Sequence, residues 1–416
     1  MSVDVRPIAF YLPQFHPVPE NDEWWGTGFT EWRNVTRAKP RFFGHYQPHL
    51  PADVGFYDLR VPEVRQMQAD LARRYGIYGF CYYHYWFGGR RILERPFNDV
   101  LASGEPDFPF CLCWANENWT RVWDGGNQHV LLGQNHSSED DRAHIHEVLP
   151  AFQDERYIRI NDKPLYLVYR TELLPNAAQT AEIWREEAHK AGIGDIYLAR
   201  VEQFVDDVDP TTIGFDAAVE FAPSGEWLGT PKFRGFLPSL LAKLGLLSPA
   251  FAENNVIPYE QVTRVFMNKA EPDFKRFHCV SPMWDNSARR KKRARILVDS
   301  TPGLYERWLK HTIARTRKVH EGDERIVFLN AWNEWAEGCH LEPDLKWGHA
   351  YLEATQRALA AGYDVPKVNA GSNAGAPTAE VSALKQLYWQ AGRKLRGLRD
   401  LAAQLSCPGR FSDKDS

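Results

Sequence analysis

Two glutamates three residues apart, Glu334 and Glu337, stand among tryptophans in the run Trp332-Asn333-Glu334-Trp335-Ala336-Glu337-Gly338. In a turn or a first helical turn, residues at that spacing project to one side with Cβ atoms about 5 to 6 Å apart. Both carboxyl groups can then address a single glycosidic bond. One protonates the departing oxygen, and the other acts as base or nucleophile. Like-charge repulsion and desolvation among the rings push the two pKa values apart, as that division of labour requires. Asn333 and Trp335, flanking the pair, are candidates for lining the same pocket.

Further polar and aromatic residues end other apolar runs: Tyr11, Gln14 and His16; Tyr83, His84 and Trp86; Trp114, Asn116 and Glu117; Trp284 and Asp285. Rings together with carboxylates and amides describe a sugar pocket. C–H faces of a sugar stack on aromatic planes, while its hydroxyls need paired donors and acceptors. Trp25, in the Trp24-Trp25-Gly26-Thr27-Gly28 stretch, belongs to a long first loop that would form a lid or subsite wall.

The elements that must position these groups are eight short apolar runs, at 8–12, 77–85, 108–115, 164–170, 196–202, 215–222, 278–284 and 325–332. Between most of them lies room for a helix, and helical patterns appear at 62–75, 139–153, 180–191, 259–270, 303–319 and 349–361. Runs buried on both faces and alternating with amphipathic helices predict a parallel sheet with right-handed crossovers. Eight such units predict an α/β fold, a (β/α)8 TIM barrel with long active-site loops, whose strand C-termini converge on one face. A doubly wound open sheet is the rival. The barrel would occupy 1–362. A Gly-, Ala-, Pro- and Ser-rich linker would follow over 363–380, and a basic amphipathic helix and tail over 381–416. That C-terminal helix would dock on the barrel or meet a partner or membrane surface.

The run Asn333-Glu334-Trp335-Ala336-Glu337-Gly338, continuing to Glu342-Pro343, resembles the catalytic motif of the family 99 glycoside hydrolases, endo-acting α-mannosidases built on a (β/α)8 barrel. The N-terminal portion is similar to the WbsX branch of family-99-like domains. It comprises Tyr11-Leu12-Pro13-Gln14-Phe15-His16, Trp24 to Trp32 and Gly44-His45-Tyr46-Gln47-Pro48. That branch is associated with bacterial O-antigen and surface-polysaccharide clusters and is often labelled glycosyltransferase. The resemblance spans roughly residues 5–361. It implies a retaining reaction through a 1,2-anhydro sugar, with Glu334 as base on the 2-hydroxyl and Glu337 as general acid/base. A WbsX-type glycosyltransferase in O-antigen or lipopolysaccharide biosynthesis remains an alternative reading, and so does a non-catalytic carbohydrate-binding barrel.

Composition closes off other classes. With 50 Lys and Arg against 54 Asp and Glu, the net charge is −4, which leaves no electrostatic footprint for nucleic acid. A 44% hydrophobic and 25% charged chain is globular rather than disordered or fibrous. The six cysteines are spread along the chain, four of them inside apolar runs, and read as buried thiols of a reducing compartment. No leader-like segment opens the sequence and no apolar run spans a bilayer, so the expectation is a cytoplasmic protein. No paired His spacing calls for a metal, and no glycine fingerprint for a dinucleotide, so no cofactor is expected. Asp206-Asp207-Val208-Asp209 offers an Asp-x-Asp of the kind that holds a divalent ion in nucleotide-sugar transferases, but reads better as a solvated loop or helix start. Arg289-Arg290-Lys291-Lys292-Arg293-Ala294-Arg295, after the seventh run, reads as a solvated loop or as a holder of an anionic or lipid-linked glycan.

Overall fold

The computed structural model describes residues 4–120, 130–203, 208–224, 228–232, 244–245 and 247–361. The expected linker at 363–380 and the C-terminal helix at 381–416 lie outside them, as do Asp206 and Asp207.

Eight parallel strands close on themselves: β1 (Arg6–Tyr11), β2 (Gly79–His84), β3 (Phe110–Trp114), β4 (Lys163–Val168), β5 (Tyr197–Glu202), β6 (Ala217–Glu220), β7 (Arg276–Val280) and β8 (Ile326–Leu329). Each pairs with its sequence neighbour, and β8 returns to β1 in the register Arg6 to Ile326, leaving no open edge. The order is that of a (β/α)8 barrel, and it excludes the doubly wound sheet.

The outer layer contains α1 (Pro62–Arg74), α2 (Arg95–Ser103), α3 (Ser138–Phe152), α4 (Ala177–Lys190), α5 (Tyr259–Met267), α6 (Pro302–Val319) and α7 (Ala350–Ala360). Local chemistry sets where they start. Ser137, Asn176 and Thr301 each accept a hydrogen bond from the backbone N–H three residues on, and Pro302 adds a preset φ at the first position of α6. Between β5 and β6 the described chain carries only a 3₁₀ turn, Pro210–Ile213, where Asp209 accepts from the Thr211 N–H. Asp209 is therefore a capping residue of that turn. Among the described residues no helix is long and apolar enough to cross a membrane.

Side chains alternate between the barrel interior and the helix layer. Phe10 stacks on Tyr83 and Phe328 inside the barrel, with ring centroids 5.7 and 5.4 Å away. Tyr11, one residue on, meets Gln68 of α1 outside it. Cys81, Cys111, Cys113, Cys279 and Cys339 are all buried and unpaired in disulfides.

Candidate active site

At the C-terminal face of the barrel lies a cavity of about 760 Å³. Its chemistry begins just past β8. Asn333 and Glu334 pair antiparallel with Cys339 and His340, and the 3₁₀ turn Trp335–Glu337 closes this hairpin. Gly338 sits at φ +55°, and a Cβ there would come within 3.0 Å of the Asp285 backbone. Asn333 anchors the hairpin to the end of β1: its Oδ1 accepts from the Leu12 N–H at 2.8 Å and its Nδ2 donates to the Leu12 carbonyl at 3.1 Å. Glu342 anchors it from behind, accepting from Trp335 Nε1, Tyr57 Oη and Gln68 Nε2 at 2.6 to 2.8 Å.

So held, Glu334 and Glu337 both reach the cavity and share one guanidinium. Arg289 Nη2 lies 2.6 Å from Glu334 Oε1, and Nη1 lies 3.0 Å from Glu337 Oε1. A third carboxylate, Glu31 Oε2, is 3.2 Å from Arg289 Nε. It arrives from the first loop, where Trp32 packs on Trp335 with centroids 5.6 Å apart and donates to the Tyr57 carbonyl. Three carboxylates around one cation carry surplus negative charge, so the set favours a bound proton. Burial, together with the Glu337 and Glu31 charges, pushes the Glu334 carboxyl well above the usual range, and Arg289 counters it only in part. Burial likewise raises Glu117 on the opposite wall, against the pull of Arg170 at 2.5 Å.

Of the sixteen residues singled out from sequence, Gln14, Trp25, Tyr83, Glu117, Trp284, Glu334 and Glu337 reach the cavity wall. The other nine do not, and strand parity accounts for several. Tyr11 faces α1, donating to Gln68. His84 and Trp114 face α3 and α4: His84 Nε2 is 3.0 Å from His144 Nε2, and Trp114 packs on His144 and Trp184. Trp86 donates to Asp140 at the start of α3. Asn116 is spent on the Arg170 backbone, donating to its carbonyl and accepting from its N–H. His16 is buried away from the cavity, where desolvation pulls its imidazole down to about 4. Asn333 and Trp335 are the anchors already described. Asp285 supports the motif from behind: its N–H donates to the Glu337 carbonyl and its Oδ2 accepts from His45 and Gln47. Burial would raise Asp285, but His45 holds it below its ordinary value.

Sequence reasoning missed the two groups closest to the pair, Glu31 and Arg289. Both stood in stretches already marked, the Trp-rich first loop and the basic run, but nothing local to either points at residue 334. It also missed Tyr85, Tyr169 and Trp119, which add rings to the wall. Among the described residues, one group could hold a metal ion: His49, His340 and Asp344, all buried, with donor atoms within 4.8 Å of one another. His49 Nδ1 and His340 Nε2 are 3.0 Å apart, a separation that a hydrogen bond also satisfies.

The barrel is that of carbohydrate-active proteins of known structure. A glycoside hydrolase-like protein superposes with a TM-score of 0.53 at 13% identity, covering 86% of this chain and 95% of its own. The GH99 endo-alpha-mannosidase from Bacteroides thetaiotaomicron superposes at 0.52 and 14% identity, covering 86% and 98%. At these identities the likeness is one of fold. The model of the family described as glycosyltransferase WbsX matches residues 7–355, and the chain belongs to that family. It is 48% identical over 358 residues to the uncharacterized protein WxcX of Xanthomonas campestris pv. campestris, in two strains. The match covers 86% of this chain and 50% of WxcX, so the chain spans about half the length of these relatives.

Proposed function

We propose that the chain acts at a glycosidic bond of a bacterial surface polysaccharide or its lipid-linked precursor, as a retaining, endo-acting glycosidase on an α-mannoside-like linkage. The observation that carries this reading is the pair Glu334 and Glu337 on one guanidinium in a ring-lined cavity. In the reaction, Glu334 takes the proton of the sugar 2-hydroxyl, whose oxygen attacks the anomeric carbon to close a 1,2-anhydro ring. Glu337 protonates the departing oxygen and then, as a carboxylate, activates the water that opens that ring. Above its raised pKa, Glu334 is a carboxylate of high proton affinity, which suits a base. Trp25, Trp284 and Tyr83 supply stacking faces, and Gln14 and Glu117 hydrogen-bonding partners.

The family's description favours a second reading, transfer of a sugar from an activated donor. Reducing-end release from α-mannosides and bacterial surface polysaccharides, with and without nucleotide sugars, separates the two. Release that needs no nucleotide and disappears in Glu334→Gln and Glu337→Gln supports the glycosidase. Product growth only with a nucleotide sugar supports the transferase. Binding without turnover in either format leaves a carbohydrate-binding barrel.

A further inference from the structure

The cavity wall after β7 carries four guanidinium groups from one short segment, Arg289, Arg290, Arg293 and Arg295. Arg289 is matched by Glu31, Glu334 and Glu337. The other three have no carboxylate within ion-pair distance among the described residues. The Arg295 side chain donates one hydrogen bond, to the Pro223 carbonyl at 2.7 Å, and the side chains of Arg290 and Arg293, on the cavity wall, have no hydrogen-bond partner among the described residues. Burial pulls Arg295 down, and the charge of Arg290 adds repulsion, while Glu337 offsets part of both.

This segment is built rather than loose. Arg41, itself half-buried, donates to the carbonyls of Ser287, Arg290 and Lys291 and to Asn254 Oδ1. The Arg293 N–H donates to the Glu253 carbonyl, and Arg293 holds φ +57°, a left-handed conformation that disfavours non-glycine residues. Asn286 Oδ1 accepts from the Arg295 N–H, and the strand Arg295–Val298 then pairs with Asn255–Pro258. Like-charged guanidiniums carried on an anchored backbone along one cavity wall attract an anion, and the planar fork suits phosphate or carboxylate oxygens.

We infer that Arg290, Arg293 and Arg295 form an anion subsite beside the glutamate pair, which takes a phosphate or carboxylate borne by the sugar substrate. The inference rests on the carbohydrate reading of the cavity and names the charge of its substrate class.

Calorimetric titration tests it with three probes, mannose 1-phosphate, methyl α-glucuronide and neutral methyl α-mannoside, at 50 and 300 mM NaCl. The expected result is at least tenfold tighter binding of an anionic probe than of the neutral one, with the advantage shrinking several-fold at the higher salt. Arg290→Gln/Arg293→Gln, both at exposed positions, should remove that advantage and leave neutral binding and the melting temperature unchanged. Preference for the phosphate alone would identify a phosphorylated or lipid-linked sugar, and equal preference for the glucuronide an acidic glycan. Equal binding of charged and neutral probes, or equal weakening of both in the double variant, would overturn the subsite. Glu334→Gln should still bind the anionic probe. If the wild type binds the anionic probe while it cleaves no polysaccharide, the catalytic reading fails and the subsite stands; cleavage of neutral glycans by the wild type without charge discrimination reverses that outcome.

Discussion

Arg289 is surrounded by Glu31, Glu334 and Glu337, and this arrangement sets the electrostatics of the site. Removing the cation should leave three clustered acids, two of them buried, to repel one another. Arg289→Met is therefore expected to lower turnover sharply and to shift the acid limb of the residual pH–rate profile upward, since Glu334 would hold its proton more tightly. In the wild type that limb should already lie above the ordinary glutamate range, because burial raises Glu334. A profile governed by an unshifted carboxylate would contradict this. Asn333 tests the anchor rather than the chemistry. Asn333→Ala strips both bonds to the Leu12 backbone and should cost about 1 to 3 kcal/mol in urea unfolding, with a larger proportional loss of activity. The glutamate pair was legible from spacing and neighbours alone, whereas its partners were not. Glu31 and Arg289 lie far from it in sequence, and only chain closure brings them to one point.

The hairpin after β8 depends on a single glycine. Gly338→Ala forces a Cβ to within 3.0 Å of Asp285 at a φ of +55°. It should lower stability by about 1 to 2 kcal/mol from the left-handed conformation alone, read as a fall in melting temperature. Glu337 is its neighbour, so activity should fall further than stability does. A variant with wild-type turnover would show that the hairpin geometry is dispensable. At this scale the sequence was readable in its strands: each of the eight apolar runs overlaps a barrel strand, and the six helical patterns match α1 and α3 to α7 within a few residues. Helix α2, nine residues opening on Arg95-Pro96, is short enough to have been passed over between two strands. The facing of strand-end residues was not readable. Each run alternates, but which parity faces inward depends on register across the whole barrel. Tyr83 therefore reaches the cavity while Tyr11, His84 and Trp114 pack under helices.

Across the whole molecule, Glu342 ties the motif loop to α1 and to the first loop through Gln68, Tyr57 and Trp335. Burial raises its carboxyl to about 7 from 4.5, although all three donors pull the other way. The folded chain thus holds this proton more tightly than the unfolded chain. The contribution is full below about pH 4.5 and is lost as the pH climbs to about 7, a change of about 3 kcal/mol. Stability of the wild type relative to Glu342→Gln, followed by denaturant unfolding, should decline across that window. A difference that stays flat from pH 4.5 to 7.5 would show that Glu342 is not the titrating group. The closed barrel gathers elements from every quarter of the described chain onto one face, and the division of labour between two glutamates there is the central claim. It is tested most directly by leaving-group rescue on the sugar found in the polysaccharide panel. With its glycosyl fluoride, whose departure needs no proton, Glu337→Gln should regain fluoride release and Glu334→Gln should release none. Rescue of Glu334→Gln instead, or of neither variant, would contradict the assignment of Glu334 as base and Glu337 as acid.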